Sequence, residues 1–215
     1  MRTDAVVGAA RSAGPDPAGR GRTLVVVGGL PGAGKTTLLR RLLAQRPAGV
    51  VGLDSEDVAA RLTAAAGGLP YRALRPLVHV VHRVRVVAMT LGGAPVVVLT
   101  DPWTSPWWRA VVTAAARRAG RSVRLLLLDA PQDAAEDGQA ARGRVVPERS
   151  MRRHAARWAR LLRRLDADRD VDPGADRDVN PGADPSTILR VDRAGARRLT
   201  LDGVLRGRPD DPPPA

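Results

Sequence analysis

Residues 28–37 read GGLPGAGKTT. Within them, Gly29 to Thr36 (GLPGAGKT) match the pattern G-x-x-x-x-G-K-[ST] without a mismatch. A short β-branched apolar run, TLVVV at 23–27, precedes the match and predicts a buried strand. Leu38, Leu39, Leu42 and Leu43 follow at helical spacing, so a helix is expected from Lys35 to Arg46, ended by Pro47. A glycine turn between strand and helix lets the backbone curl, so that successive amides face an oxyanion. The opening helix adds the positive end of its dipole. Gly29, Leu30, Pro31, Gly32, Ala33, Gly34, Lys35, Thr36 and Thr37 are therefore the expected cofactor-binding residues, for ATP or GTP. Lys35 would bridge the β- and γ-phosphates, and Thr36 would ligate Mg²⁺.

The composition makes the lysine informative. The chain has 215 residues, a net charge of +13, no Cys and no Phe. Ile188 is its only isoleucine and Asn180 its only asparagine. Ala, Arg, Gly, Pro and Val dominate, as in a chain coded by a GC-rich genome, so part of the basicity need carry no message about partners. Against that background Lys35 is the only lysine among 35 Lys and Arg residues. Without cysteine, disulfides and thiolate metal sites are excluded. The first twenty residues lack the apolar centre of a secretory signal. No run approaches the ~20 apolar residues that cross a bilayer. A cytoplasmic protein without membrane contact is expected.

Residues 1–21, rich in Gly, Pro and Ala, and the proline-rich tail over 208–215 are expected to be disordered, flanking one domain over 22–207. Further apolar runs at 50–53, 95–100, 123–128 and 187–191 predict four more strands. Helices are expected from Asp54 or Ser55 to about Ala66, and over 72–91, 107–119, 132–141, 147–165 and 194–205. In the second of these, Leu74, Leu77, Val78, Val81, Val84 and Ala88 form the expected apolar face. Apolar strands alternating with helices predict α/β architecture: a three-layer sandwich around a mostly parallel sheet of about five strands. Residues 168–183 repeat an octad, DRDVDPGA then DRDVNPGA. Its alternating acids resemble a calcium loop only faintly, with the glycine one place late and no closing Glu. A solvated insertion over about 166–186 is expected instead.

In a parallel sheet, ligands gather at the carboxyl ends of strands. Asp54 and Asp101 each follow a predicted strand. Asp101 would steady the metal, or else serve as a turn residue before Pro102. Asp54 is the candidate general base for an acceptor hydroxyl, with N-capping as its plain alternative and Asp57 as competitor. Arg75, His79 and Arg83 share one helix stripe that would line an acceptor pocket, or simply face water. Nine arginines and one acid lie between Arg142 and Arg164. Arg142 and Arg144 are the candidates to close over transferring phosphate. The face from Arg152 to Arg164 is expected to be solvated. Trp103, Trp107 and Trp108 are expected to pack in the core rather than stack on an acceptor.

GLPGAGKTT, VGLDSEDVAARL, VVVLTDPWTSPWWRAVVTAAARRAG and LLLLDAPQDAAEDGQAARGRVVP together resemble the P-loop kinases around zeta toxin, polynucleotide kinase and chloramphenicol phosphotransferase. Such chains are usually labelled AAA-family ATPases. The resemblance covers about 22–165. It implies Asp54, or less directly Asp57, as general base and Asp101 as the strand-end acid. It also implies Arg109 as a substrate-binding arginine, Arg142 and Arg144 as lid arginines within about 132–150, and Asp192 and Arg193 near the adenine. Two departures stand out. Asp57 occupies a position where relatives carry arginine, with Arg61 the nearest substitute. Glu136 and Asp137 stand where the first lid arginine is usual. The implied activity is ATP/Mg²⁺-dependent phosphoryl transfer to a small hydroxyl acceptor. A regulatory ATPase without an acceptor and a nucleic-acid end kinase are the alternatives, nucleic acid being the less favoured partner.

Overall fold

The sheet is built outward from β1 (Thr23–Gly29), every residue of which is buried. β3 (Val96–Thr100) lies on one side of it and β4 (Ser122–Leu128) on the other, both parallel to it. β2 (Val50–Leu53) and β5 (Ile188–Val191) complete the edges, giving the order β2-β3-β1-β4-β5. A central strand covered on both faces needs apolar residues throughout rather than alternation. TLVVV, VVVLT and LLLL are such runs. Leu24 to Val27 and Val97 to Leu99 are wholly excluded from water, each buried side chain contributing about 1.5–3 kcal/mol relative to exposure. The α/β architecture and the five parallel strands follow the sequence expectation. The computed structural model describes residues 21–67, 69, 71–140, 147–169 and 187–207. Both expected disordered ends, but for residue 21, lie outside that range, as do Arg142, Arg144 and nearly all of the octad repeat.

Eight helices occur among the described residues: α1 (Lys35–Leu42), α2 (Ser55–Ala65), α3 (Tyr71–Leu91), α4 (Pro106–Arg118), α5 (Gln132–Ala140), α6 (Glu148–Arg169), α7 (Arg193–Ala196) and α8 (Leu201–Arg206). Three differ from expectation. α1 stops four residues early, at Leu42, and Arg46 adopts φ 46°. The residue before a proline is pushed out of the right-handed helical region, which moves the helix end upstream of Pro47. The last helix is two short ones, because Thr200 caps the Gly203 amide at 3.1 Å and starts a new turn. Between them, Arg41 donates to the Ala196 and Leu199 carbonyls. α6 runs four residues past its expected end.

α3 also presents a different face. Leu74, Val78, His82, Val86 and Thr90 are its buried residues, four apart, whereas Leu77 and Val84 are exposed. A stripe at a strict spacing of four drifts around the helix and here carries a histidine inward. Below the sheet, Arg121 fills the opposite end. Its guanidinium donates to Thr90 O at 2.6 Å, Gly92 O at 2.9 Å and Pro95 O at 3.3 Å, tying the α3–β3 turn to β4. Burial, then the charge of Arg22, pulls its pKa down to about 10, so it remains a cation at neutral pH.

Candidate active site

β2, β3, β4 and β5 each end on an aspartate: Asp54, Asp101, Asp129 and Asp192. Because the strands are parallel, all four stand at the edge where β1 opens into residues 28–37. Asp192 is spent capping α7, accepting from the Gly195 amide at 2.6 Å. Asp129 pairs with Arg190 at 2.7 Å and accepts from the Trp158 indole at 3.5 Å. Asp54 and Asp101, the two acids expected from the sequence, are differently placed.

The loop itself is wrapped. Gly29, Gly32 and Gly34 have φ of 152°, 88° and 107°, a region that L side chains rarely enter. Gly34 is the N-cap residue of α1, and no side chain caps that helix start. The positive end of that helix therefore faces the turn without a side-chain acceptor of its own, a setting that favours an anion. Lys35 Nζ donates to the Gly29 and Leu30 carbonyls, both at 2.8 Å, which seats the ammonium at the mouth of the turn. Leu30, Ala33 and Thr36 are buried, Thr37 is exposed, and Pro31 is half-buried. A methyl group on Gly32 would meet Ala135 O at 1.9 Å, and one on Gly138 would meet Gly32 O at 2.4 Å. α5 therefore lies directly on the loop. Arg193 joins them, donating to Gly32 O at 3.1 Å and to Ala134 O.

Asp101 forms a tight turn with the segment after β3. Oδ1 accepts from the Trp103 amide at 2.6 Å and Oδ2 from the Trp108 indole at 3.0 Å. Trp103 is fully buried and held at φ 56°. Removal from water pushes the Asp101 carboxyl above its ordinary value, opposed by the Trp103 amide, the Lys35 charge, the Trp108 indole and Arg83. Its link to Lys35 puts it within electrostatic reach of the phosphate loop. A carboxylate has about four lone-pair positions, so two N–H partners leave room for a metal on it. With the Thr36 hydroxyl, that is a donor set of the kind Mg²⁺ takes beside phosphates. No cluster of three or more metal-binding side chains occurs among the described residues.

Asp54 is 3% exposed. Oδ1 accepts from the Glu56 amide at 2.7 Å, so Asp54 does cap α2. Oδ2 is buried, with no hydrogen-bond partner among the described residues. Asp57, its competitor, is exposed one turn on. Buried His82 lies within electrostatic reach of Asp54 and close to the Thr100 backbone. Burial lowers its pKa most, Asp54 raises it, Arg85 and His79 lower it, and the Thr100 backbone raises it. Nδ1 of His82 is likewise without a partner. His82 was not a sequence candidate. Its position four residues from both Val78 and Val86 was the available signal.

Arg75, His79 and Arg83 do share a face. Burial and then Arg75 and Arg83 lower the His79 pKa. Arg83 stacks on Trp107 and Trp108, at 5.5 and 5.3 Å from the ring centres. Trp107 is 62% exposed and so is not the core residue expected. His154 of α6 is a further addition. Burial lowers its pKa, followed by Arg157, Lys35 and Arg75. It thus stands among α6, α3 and the phosphate loop. Its place three residues after Met151 and four before Trp158, both buried, marked the inward stripe. Arg109 is buried and donates to Trp103 O at 3.0 Å.

A family model described as an AAA domain matches residues 24–167. The chain belongs to this AAA-domain family. The match begins one residue into β1 and ends near the end of α6, so it spans the loop and every strand but β5. No curated protein matches the sequence. Among solved structures, a candidate kinase from Chloroflexus aurantiacus superposes with a TM-score of 0.54 at 14% identity, covering 86% of this chain and 92% of the other. A gluconokinase from Sinorhizobium meliloti gives 0.46 at 13%, covering 87% and 90%. At 14% identity the Chloroflexus structure shows the fold alone, the parallel α/β architecture described above. No helix among the described residues is long and apolar enough to cross a membrane.

Proposed function

We propose that this AAA-family chain is an ATP- and Mg²⁺-dependent phosphotransferase that moves the γ-phosphate to a hydroxyl of a small acceptor, with GTP as the other nucleotide the loop would admit. The nucleotide half is supported by the uncapped start of α1 and by the Lys35 ammonium at the mouth of the turn. The acceptor half is carried by one observation: Asp54 Oδ2 is a buried carboxylate oxygen with no partner among the described residues, at the strand-end edge. Removed from water and free on one side, it is suited to orient a hydroxyl and take its proton.

In this proposal the loop amides and Lys35 hold the phosphates and stabilise charge on the equatorial oxygens. Thr36 and Asp101 hold Mg²⁺, which neutralises phosphate charge when bound. Asp54 accepts the proton, and Asp57 stands at the entrance. Arg75, His79, Arg83 and Arg109 line the acceptor side. Arg142 and Arg144, outside the described residues, remain the proposed lid arginines. Arg193 acts on the nucleotide through the loop carbonyl that it holds.

A nucleotide switch with no acceptor is the alternative, favoured by the near-complete covering of Asp54. Transfer of labelled γ-phosphate to nucleosides, sugars, aminoglycoside-like compounds and nucleic-acid ends separates the two. Wild type should label one acceptor, and Asp54→Asn should lose about 10²–10⁴-fold of that rate. Lys35→Ala should lose nucleotide-dependent labelling altogether. Equal transfer by Asp54→Asn and wild type rules out the base. Nucleotide uptake with no acceptor stimulation selects the switch. A steep fall in acceptor binding with salt would instead mark a nucleic-acid end.

A further inference from the structure

Between the start of α4 and one flank of α6 lies a cleft of about 380 Å³, lined by Thr104, Ser105, Arg109, Arg157, Arg160 and Arg164. Among the described residues, none of the phosphate loop borders it and no acid lines it. Arg157, Arg160 and Arg164, at steps of three and four, project from one face of the helix. Other arginines nearby are neutralised: Arg152 pairs with Glu148 at 2.8 Å, and Arg190 with Asp129 at 2.7 Å. The cleft arginines have no ion pair among the described residues. Four guanidinium groups around one small space repel one another unless an anion enters it.

Arg109 sharpens the point. It is only 7% exposed, and its Nε is buried with no partner among the described residues, while Nη1 is held by Trp103 O. A buried N–H left unmade is costly. Its burial and the nearby charge of Arg164 both lower its pKa, opposed by Asp101. α4 contributes a third element. Ser105 is its N-cap residue yet makes no side-chain cap bond, and Pro106 follows at the first helical position. The positive end of a 13-residue helix therefore opens beside the arginines with its first turn uncapped.

We propose that this cleft binds a dianionic, tetrahedral oxyanion of the phosphate type, at a site separate from the phosphate loop. The class follows from the donors. Planar guanidinium forks match phosphate oxygens in pairs, and the Thr104 and Ser105 hydroxyls add single donors. A carboxylate has too few oxygens to engage four forks. Free phosphate and the phosphate of a small monoester present the same group. The site shares Arg109 with the proposed acceptor side, but its anion binding does not depend on the chain being a phosphotransferase.

Calorimetric titration of the full chain tests this, in a Lys35→Ala background that disables the phosphate loop. Inorganic phosphate and glycerol 2-phosphate are titrated in turn, and the tighter of the two identifies the source. Arg160→Gln/Arg164→Gln should weaken uptake at least about tenfold, the scale of a lost charge-assisted bond pair. Arg152→Gln/Arg163→Gln removes the same charge elsewhere on α6 and should change affinity less than about twofold. Thermal melts confirm that each variant is folded. No uptake of either ligand by folded Lys35→Ala, or equal losses in the two arginine pairs, would overturn the proposal.

Discussion

The indole of Trp108 donates to Asp101 Oδ2 at 3.0 Å while the Trp103 amide holds Oδ1 at 2.6 Å, so both oxygens of a strand-end carboxylate are oriented by one short loop. Burial raises the pKa of this acid, and these two N–H groups oppose the rise. Trp108→Phe removes one of them. The variant should lose about 1–3 kcal/mol of stability, measured by urea unfolding. Asp101 should also protonate at higher pH, shifting upward the pH below which Mg²⁺ ceases to strengthen ATP binding. An unchanged pH profile would show that Asp101 takes no part in the metal site.

Gly138 lies in α5, where glycine to alanine ordinarily gains about 1 kcal/mol. Here the new methyl would sit 2.4 Å from the Gly32 carbonyl oxygen. Gly138→Ala should therefore destabilise, by about 1–3 kcal/mol, and weaken ATP binding by displacing the loop. Gly93→Ala, with open space around its Cβ, is the control and should be close to neutral. Thermal melts and nucleotide titration give both readouts.

The three histidines share one sign. Burial, with neighbouring cations, holds His79, His82 and His154 below 6.5. As pH falls through about 6.5 the unfolded chain takes up these protons first. Their stabilising contribution is complete above that value and is lost as pH falls through the lowered native values. Each such proton changes stability by at most about 1.4 kcal/mol per pH unit. Asp101 works in the opposite sense, above 3.8, because its native form protonates first. Melting temperature should thus fall from pH 7.5 to 5.5, and His82→Gln/His154→Gln should flatten the fall. A parallel slope in that variant would disprove the assignment.

The strands and the phosphate loop were legible in the sequence because each is a local pattern. A strand buried on both faces must be continuously apolar, and the loop needs its glycines next to one another and next to Lys35. The face of α3 was not legible. Val, Leu and Ala occur all around that helix, so periodicity alone could not choose between Leu77 and His82 for the core. The pairing of Asp129 with Arg190 joins residues 61 apart and left no local trace. The arginines of α6 looked uniform in sequence. Only their place along the cleft at the start of α4 separates the exposed Arg157, Arg160 and Arg164 from Arg152, which pairs with Glu148.

The lone lysine has a practical consequence. Since no other side chain carries a primary amine, an acylating reagent that spares the chain's own α-amino end modifies one position only. The extent of labelling at Lys35, followed by mass spectrometry with and without nucleotide, then reports directly on occupancy of the turn, with no variant required.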